Sequence, residues 1–301
     1  MRLLHVPFLA AILVYSSSVV AQTNPADTLV AINLSQVNTD ANEFWPLLSN
    51  DGKTFYFMRT LPLRRVTVVK LYQCPVQADG YFGEPTEVER FSHLEYFGGI
   101  TIDDAGEMFL SYNPPNASSR DIYQLKGNDL VVLDHVNTTK WYEGSPCVSA
   151  DGLSLFFVSN RDVIGTGDYH ARGGDIYVSH RSSIGGQWSD PLKLGKQINM
   201  GQYNSSPYIS RDGKYLFFSA NPEHDWMRIY VATRTGELDT AWSKAVLLPE
   251  VINGGRNSEF PMLSASAKEF FFVTDRKGGK GQQDIYQVHL PNGIESLIGK
   301  R

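Results

Sequence analysis

Ser206-Pro207-Tyr208-Ile209-Ser210-Arg211-Asp212-Gly213-Lys214-Tyr215-Leu216-Phe217-Phe218-Ser219-Ala220, followed by Arg228-Ile229-Tyr230-Val231-Ala232, decides how the 301-residue chain is read. Pro207 to Ser210 reads as a short strand, Arg211 to Lys214 as a tight turn, and Tyr215 to Ser219 as an apolar strand. Arg228 to Ala232 reads as a third strand. Asp-Gly between two apolar runs is a hairpin signal, because glycine accepts the positive φ that such turns need.

Four further copies align on the proline. Pro46 leads through Asp51-Gly52 into Phe55-Tyr56-Phe57, Pro146 through Asp151-Gly152 into Leu155-Phe156-Phe157, and Pro261 through Ser266-Ala267 into Phe270-Phe271-Phe272. Gly99 replaces proline in the weakest copy, which continues through Gly106 into Met108-Phe109-Leu110. Gly52, Gly152 and Gly213 are expected at positive φ, and the turn with Ala267 is expected to be of another type. Each copy ends in an Ile/Leu-Tyr strand: Leu71-Tyr72, Ile122-Tyr123, Ile176-Tyr177, Ile229-Tyr230 and Ile285-Tyr286. Units 47 to 61 residues apart mark a repeat architecture.

Between units lies a fourth strand, opened by Trp188 or Trp242, that runs to an asparagine. Asn199 and Asn253 stand eight residues before the next proline, and Asn137 stands nine before Pro146. The same pattern starts the chain, where Thr28 to Leu34 leads to Asn38, again eight residues before Pro46. This first strand has no unit of its own, and the last unit has no fourth strand. An open sheet edge invites aggregation, and a ring in which the N-terminal strand completes the last sheet removes it. The expected fold is all-β: a five-bladed β-propeller of four-stranded antiparallel blades, with six blades as the alternative. The blades fall at roughly 42–90, 91–136, 137–198, 199–252 and 253–301, with 28–36 as the closing strand of one domain, 22–301.

Residues 1–21 read as a secretory signal: Arg2, an apolar run from Leu3 to Tyr15, and short residues up to Ala21. The run is shorter than the ~20 residues a spanning helix needs, so no membrane insertion of the mature chain is expected. Removing Arg2 takes the formal charge from -5 to -6, and no dense Lys/Arg run exists, which argues against a nucleic-acid partner. Cys74 and Cys147 fall on strands that are not neighbours and read as two separate buried thiols.

The pattern Ser-Pro-x-x-Ser-x-Asp-Gly-x-x-x-Phe-Phe-x-Ser-Asn-Arg at Ser145 to Arg161, then Gly-Gly-Asp-Ile-Tyr at Gly173 to Tyr177, resembles the WD-like propeller repeats of the TolB type. That resemblance implies a bacterial exported protein, periplasmic or extracellular. It specifies a fold and not an activity, because propellers host binding proteins and enzymes alike.

No nucleophile-elbow or zinc-helix motif is present, and the histidines show no ligand spacing. Two groups of candidate ligand residues remain. Glu43, Glu143 and Asn204 stand three residues before their prolines and Glu259 two before Pro261, where the chain enters the innermost strands. They are expected either to converge on the channel mouth, facing a polar ligand or a cation such as calcium, or to cap backbone amides in the turns there. The second group is the tip of the long third-blade loop, Asp168, Tyr169, His170 and Arg172. The base of that loop is expected to be pinned by Arg161 with Asp175, as Arg276 with Asp284 would pin its fifth-blade counterpart. Both groups lie on the face opposite the Asp-Gly turns. The expected function is therefore non-catalytic binding of a protein, peptide or glycan through this face, without a cofactor. The alternative is a polysaccharide hydrolase or lyase using carboxylates at the channel mouth.

Overall fold

The computed structural model describes residues 29–63, 66–78, 80–94, 96–115, 117, 119–138, 140–162, 174–223 and 225–299. The signal segment lies outside them. Five antiparallel sheets of four strands form the blades of a propeller. Blade I contains β2 (Glu43–Leu48), β3 (Thr54–Leu63), β4 (Val66–Pro75) and β5 (Thr86–Glu87), and blade II contains β6 (Phe97–Ile102), β7 (Met108–Tyr112), β8 (Asp121–Lys126) and β9 (Asp129–Val132). Blade III holds β10 (Glu143–Val148), β11 (Ser154–Ser159), β12 (Asp175–His180) and β13 (Leu192–Lys193), and blade IV holds β14 (Asn204–Ile209), β15 (Tyr215–Ala220), β16 (Arg228–Thr233) and β17 (Val246–Leu247). Blade V takes β18 (Ser258–Leu263), β19 (Glu269–Thr274) and β20 (Asp284–His289) from the C-terminal part and β1 (Ala31–Asn33) from the other end of the chain.

The ring closes as the repeat spacing predicts, with Ala31 opposite Val288 and Asn33 opposite Tyr286. The recurring asparagine explains that spacing. Asn137 receives the Ile122 N–H at 2.8 Å and donates to the Ile122 carbonyl at 2.7 Å, so one amide clamps both backbone groups of the Ile-Tyr strand behind it. Asn199 clamps Ile176 and Asn253 clamps Ile229 in the same way. Asn38 does so to Ile285, across the closure.

The apolar second strands carry the core. Phe156, Phe157, Phe217, Phe218, Phe270 and Phe272 are fully buried, because neighbouring blades cover both faces of each sheet. Contacts between blades are aromatic: Phe55 to Phe271 and Phe217 to Phe270 at 5.3 Å between ring centres, Phe109 to Trp188 at 5.7 Å, and Phe156 to Trp242 at 6.3 Å. Trp188 and Trp242 are therefore packing residues. Both cysteines are buried and free, and burial pushes the Cys147 thiol up to about 12, which keeps it protonated and inert. Among the described residues no helix is long and apolar enough to cross a membrane.

Gly52, Gly152 and Gly213 adopt φ of 70°, 71° and 70°. Ala267 corrects the sequence reading, because at φ 54° it occupies the same left-handed position in the same turn. The Ala267 N–H reaches the Ser264 carbonyl at 2.8 Å, as the Gly213 N–H reaches Ser210. A Cβ in this region costs about 1–2 kcal/mol. Ala267→Gly is accordingly expected to stabilise the protein by roughly 1 kcal/mol, read as a raised denaturation midpoint, and an unchanged or lowered midpoint would contradict the equivalence of the turns.

Candidate functional site

The repeat proline does more than start a strand. In blades I, III, IV and V the innermost strand slips register just there, and the residue before the proline is left-handed: Trp45 (φ 60°), Ser145 (53°), Ser206 (50°) and Phe260 (53°). In blade II Gly99, at φ 143°, holds this place and Ile100 that of the proline, which moves the sequence alignment of this weakest copy by one residue. A bulge re-aims side chains, and these four line the centre of the ring. The left-handed conformation is unfavourable for an L-residue, and its recurrence concentrates backbone strain at one level of the channel.

Aromatic rings close the channel. The Trp45 and Phe260 ring centres are 5.3 Å apart, Phe44 packs on Phe260 at 5.6 Å, and the Trp45 indole N–H donates to the Ile100 carbonyl at 2.8 Å. Gly99 is required here, since a Cβ would strike the indole. Beside the plug a cavity of about 30 Å³, the scale of a single water, remains between the repeat prolines, and one of about 60 Å³ lies toward the Asp-Gly turns.

Above this plug, on the face opposite the Asp-Gly turns, opens a cup of about 390 Å³. Its floor is Trp45, Ser145, Ser206 and Phe260, and its wall includes Arg120, Tyr142, Asn160, Tyr203 and Asn204. The two tyrosines are set by their backbones: the Tyr142 N–H donates to Asn160 Oδ1 at 2.9 Å and the Tyr203 N–H to Asn221 Oδ1 at 2.8 Å. No carboxylate lines the cup among the described residues.

The glutamates singled out from sequence lie beneath its edge. Glu43 is fully buried, accepting from Thr39 Oγ1 at 2.6 Å, the Thr39 N–H at 3.0 Å and Arg59 Nε at 2.7 Å. Glu143, also fully buried, accepts from Ser159 Oγ at 2.7 Å, the Thr138 N–H at 3.0 Å and Arg161 at 3.0 Å. Burial raises the Glu143 carboxyl above its ordinary range, against the opposing pull of Ser159, Thr138 and Arg161. Asn204 occupies the same place in blade IV; its side-chain oxygen takes the Met200 and Gly201 N–H groups while its edge reaches the cup. This is the amide-capping geometry weighed as the alternative.

Glu259 stands one residue further along its strand, opposite Val273, and the position equivalent to Glu143 is held by Ser258. Burial, with Asp275 adding negative charge, pushes the Glu259 carboxyl up to about 7, and Gln283, whose Nε2 stands 3.4 Å away, opposes the shift. Asp168, Tyr169, His170 and Arg172 fall outside the described residues.

The expected loop-base pairs do not form. Arg161 turns away from Asp175 to Glu143 and lies over the Phe157 and Tyr177 rings at 5.5 and 5.0 Å, while Asp175 pairs with Lys193 at 2.5 Å. Arg276 lies over Phe272 and Tyr286 and donates to the Val251 and Ile252 carbonyls, leaving Asp284 to Asn33 and the Lys280 and Gly281 N–H groups. Arg59 makes the same stack on Phe57 and Tyr72. The guanidinium pins the Ile-Tyr strand through its tyrosine ring, a cation–π contact repeated in three blades.

Ser154 Oγ stands 3.2 Å from His180 Nδ1, and His180 Nε2 lies 2.9 Å from Asp239 without hydrogen-bond geometry. Asp239 also binds Arg234 at 3.0 Å, and the Ser154 N–H is committed to Ser149 Oγ, so the array joins blade III to blade IV. Among the described residues no group of three or more His, Cys, Asp or Glu side chains is placed to hold a metal ion.

No family model matches the chain, and no curated protein matches it in sequence. Solved structures do. A putative TolB from Agrobacterium tumefaciens superimposes with a TM-score of 0.50 at 19% identity, over 81% of this chain and 76% of that one. An endo-arabinase from Bacteroides thetaiotaomicron gives 0.52 at 14% identity, over 88% and 99%, and a luciferin-regenerating enzyme gives 0.51 at 11% identity, over 88% and 97%. At these identities the likeness is one of architecture: the chain has the β-propeller fold of a TolB protein and of enzymes with unrelated activities.

Proposed function

We propose that the protein is an exported, non-catalytic propeller of TolB type that binds a glycan, peptide or protein segment in the cup on its long-loop face. The lining of the cup carries this reading. Aromatic side chains from Phe44, Trp45, Tyr142, Tyr203 and Phe260 stand beside serine hydroxyls and the Asn160 amide, a composition suited to holding a ligand with apolar faces and polar edges. The carboxylates of Glu43 and Glu143 are occupied in turns. Trp226 and Tyr203 stand exposed on the same face and extend the surface beyond the cup. Binding of glycan and peptide panels, measured with Tyr142→Ala and Tyr203→Ala, tests this. A ligand whose affinity falls about tenfold or more in both variants at unchanged melting temperature supports the cup; a ligand indifferent to both contradicts it.

One observation favours the second reading, an enzyme acting on polysaccharide: a carboxyl with a pKa near neutrality, as at Glu259, suits a general acid. Its pH linkage separates charge from chemistry. Because the folded value of about 7 exceeds the ordinary 4.5, the native state holds the extra proton between them, and stability falls as pH rises through that window. Glu259→Gln should therefore stabilise by roughly 1–3 kcal/mol near pH 8, discounted for partial exposure, and by little near pH 4. An equal effect at both pH values would contradict the raised pKa. Turnover of a polysaccharide that disappears in this variant would establish the enzymatic reading.

A further inference from the structure

We propose that the ligand of the cup is an acidic sugar whose carboxylate pairs with Arg120. The inference rests on the cup being the binding site and names the chemistry it selects. Arg59, Arg161, Arg181, Arg211 and Arg234 each stand within ion-pair distance of a carboxylate. Arg228 and Arg276 lack a carboxylate but donate to backbone carbonyls, whereas Arg120, the arginine lining the cup, has neither kind of partner among the described residues, and its Nε is buried without a hydrogen bond. An anion held in the cup would supply the charged partner that this guanidinium lacks among the described residues.

The side chain is held for that purpose. Its guanidinium lies against Gly98 and 5.7 Å from the Tyr142 ring centre, and a Cβ at residue 98 would occupy its place. Its own carbonyl accepts the Glu143 N–H at 2.9 Å, which fixes the backbone from which it projects. With no acidic side chain on the lining among the described residues, the cup presents a guanidinium fork to a planar, bidentate anion, and a carboxylate has that shape.

The rest of the lining favours a sugar over a peptide terminus. The hydroxyls of Tyr142, Tyr203 and Ser145 and the Nδ2 of Asn160 make no hydrogen bond within the protein among the described residues, so several donors and acceptors face the cup beside aromatic surfaces. A hexuronic acid ring brings a carboxylate, several hydroxyls and an apolar face together in one unit. A peptide terminus brings the carboxylate without the hydroxyls.

Calorimetric titration with a hexuronic acid oligomer and with the neutral hexose oligomer of the same linkage tests the assignment. At low salt the uronate should bind about tenfold or more tightly than the neutral oligomer. Arg120→Gln should bring it down to the neutral level without lowering the melting temperature, and Gly98→Ala, which displaces the guanidinium, should do likewise. Equal binding of the two oligomers, or a preference that survives Arg120→Gln, overturns the proposal while leaving the cup as the site. Arg120-dependent binding of a peptide carboxylate without binding of the uronate also overturns it. Failure of both oligomers, with no other ligand sensitive to Tyr142 or Tyr203, defeats the cup reading as well.

Discussion

Deleting residues 29–38 is expected to leave a protein that unfolds or aggregates under conditions where the intact chain is folded. The deletion removes the whole of β1 and uncovers the edge of β20. It also removes Leu34 and Val37, buried at the junction of blades I and V among Phe55, Phe57, Phe271 and Ile285. Burying two such side chains is worth about 1.5–3 kcal/mol each. The paired bonds of Asn38 to Ile285 and the 2.8 Å bond from Asn33 to Asp284 contribute roughly 1 kcal/mol apiece. The sum is comparable to the 5–15 kcal/mol that typically separates folded from unfolded domains, about as much as a domain can lose. Denaturation midpoint and light scattering read the effect. A truncated chain that melts like the intact one would show that β1 does not hold the ring.

Glu143→Ala is expected to cost about 3–5 kcal/mol, since it strands Arg161 beside an empty, fully buried position. The Thr138 N–H and Ser159 hydroxyl lose their acceptor together with the guanidinium. Ligand affinity, measured well below the lowered melting temperature, should remain within a few-fold of the intact protein, because the carboxylate contributes nothing to the lining of the cup. A variant that keeps its melting temperature and loses its ligand would return Glu143 to the binding surface.

The contrast between these two predictions shows what sequence could and could not carry. The closing strand was legible because Asn38 repeats the spacing of Asn199 and Asn253, and that spacing encodes one clamp, an amide gripping both backbone groups of the preceding Ile-Tyr strand. The turn glycines were legible because positive φ selects glycine, and Ala267 was misread because tertiary packing overrides that preference once in this ring.

The direction of the inner-strand side chains was not legible. Glu43 and Glu143, three residues before their prolines, are taken up by amide capping, and the bulge at each Xaa-Pro step gives the centre of the ring to Trp45, Ser145, Ser206 and Phe260. The residue before each repeat proline was the available signal. Arg120 carried none, because a buried Nε without a hydrogen bond is visible only once the fold brings its surroundings together.

The account stands on the cup as the place where ligand is held, and amide hydrogen exchange with and without a saturating hexuronic acid oligomer tests that most directly. Added protection is predicted at 142–145, 160 and 203–206, around the tyrosines and the channel bulges, with the turns at 49–52, 149–152 and 210–213 unchanged. Protection appearing at those turns while the cup exchanges as before would place the ligand on the opposite face and contradict the account.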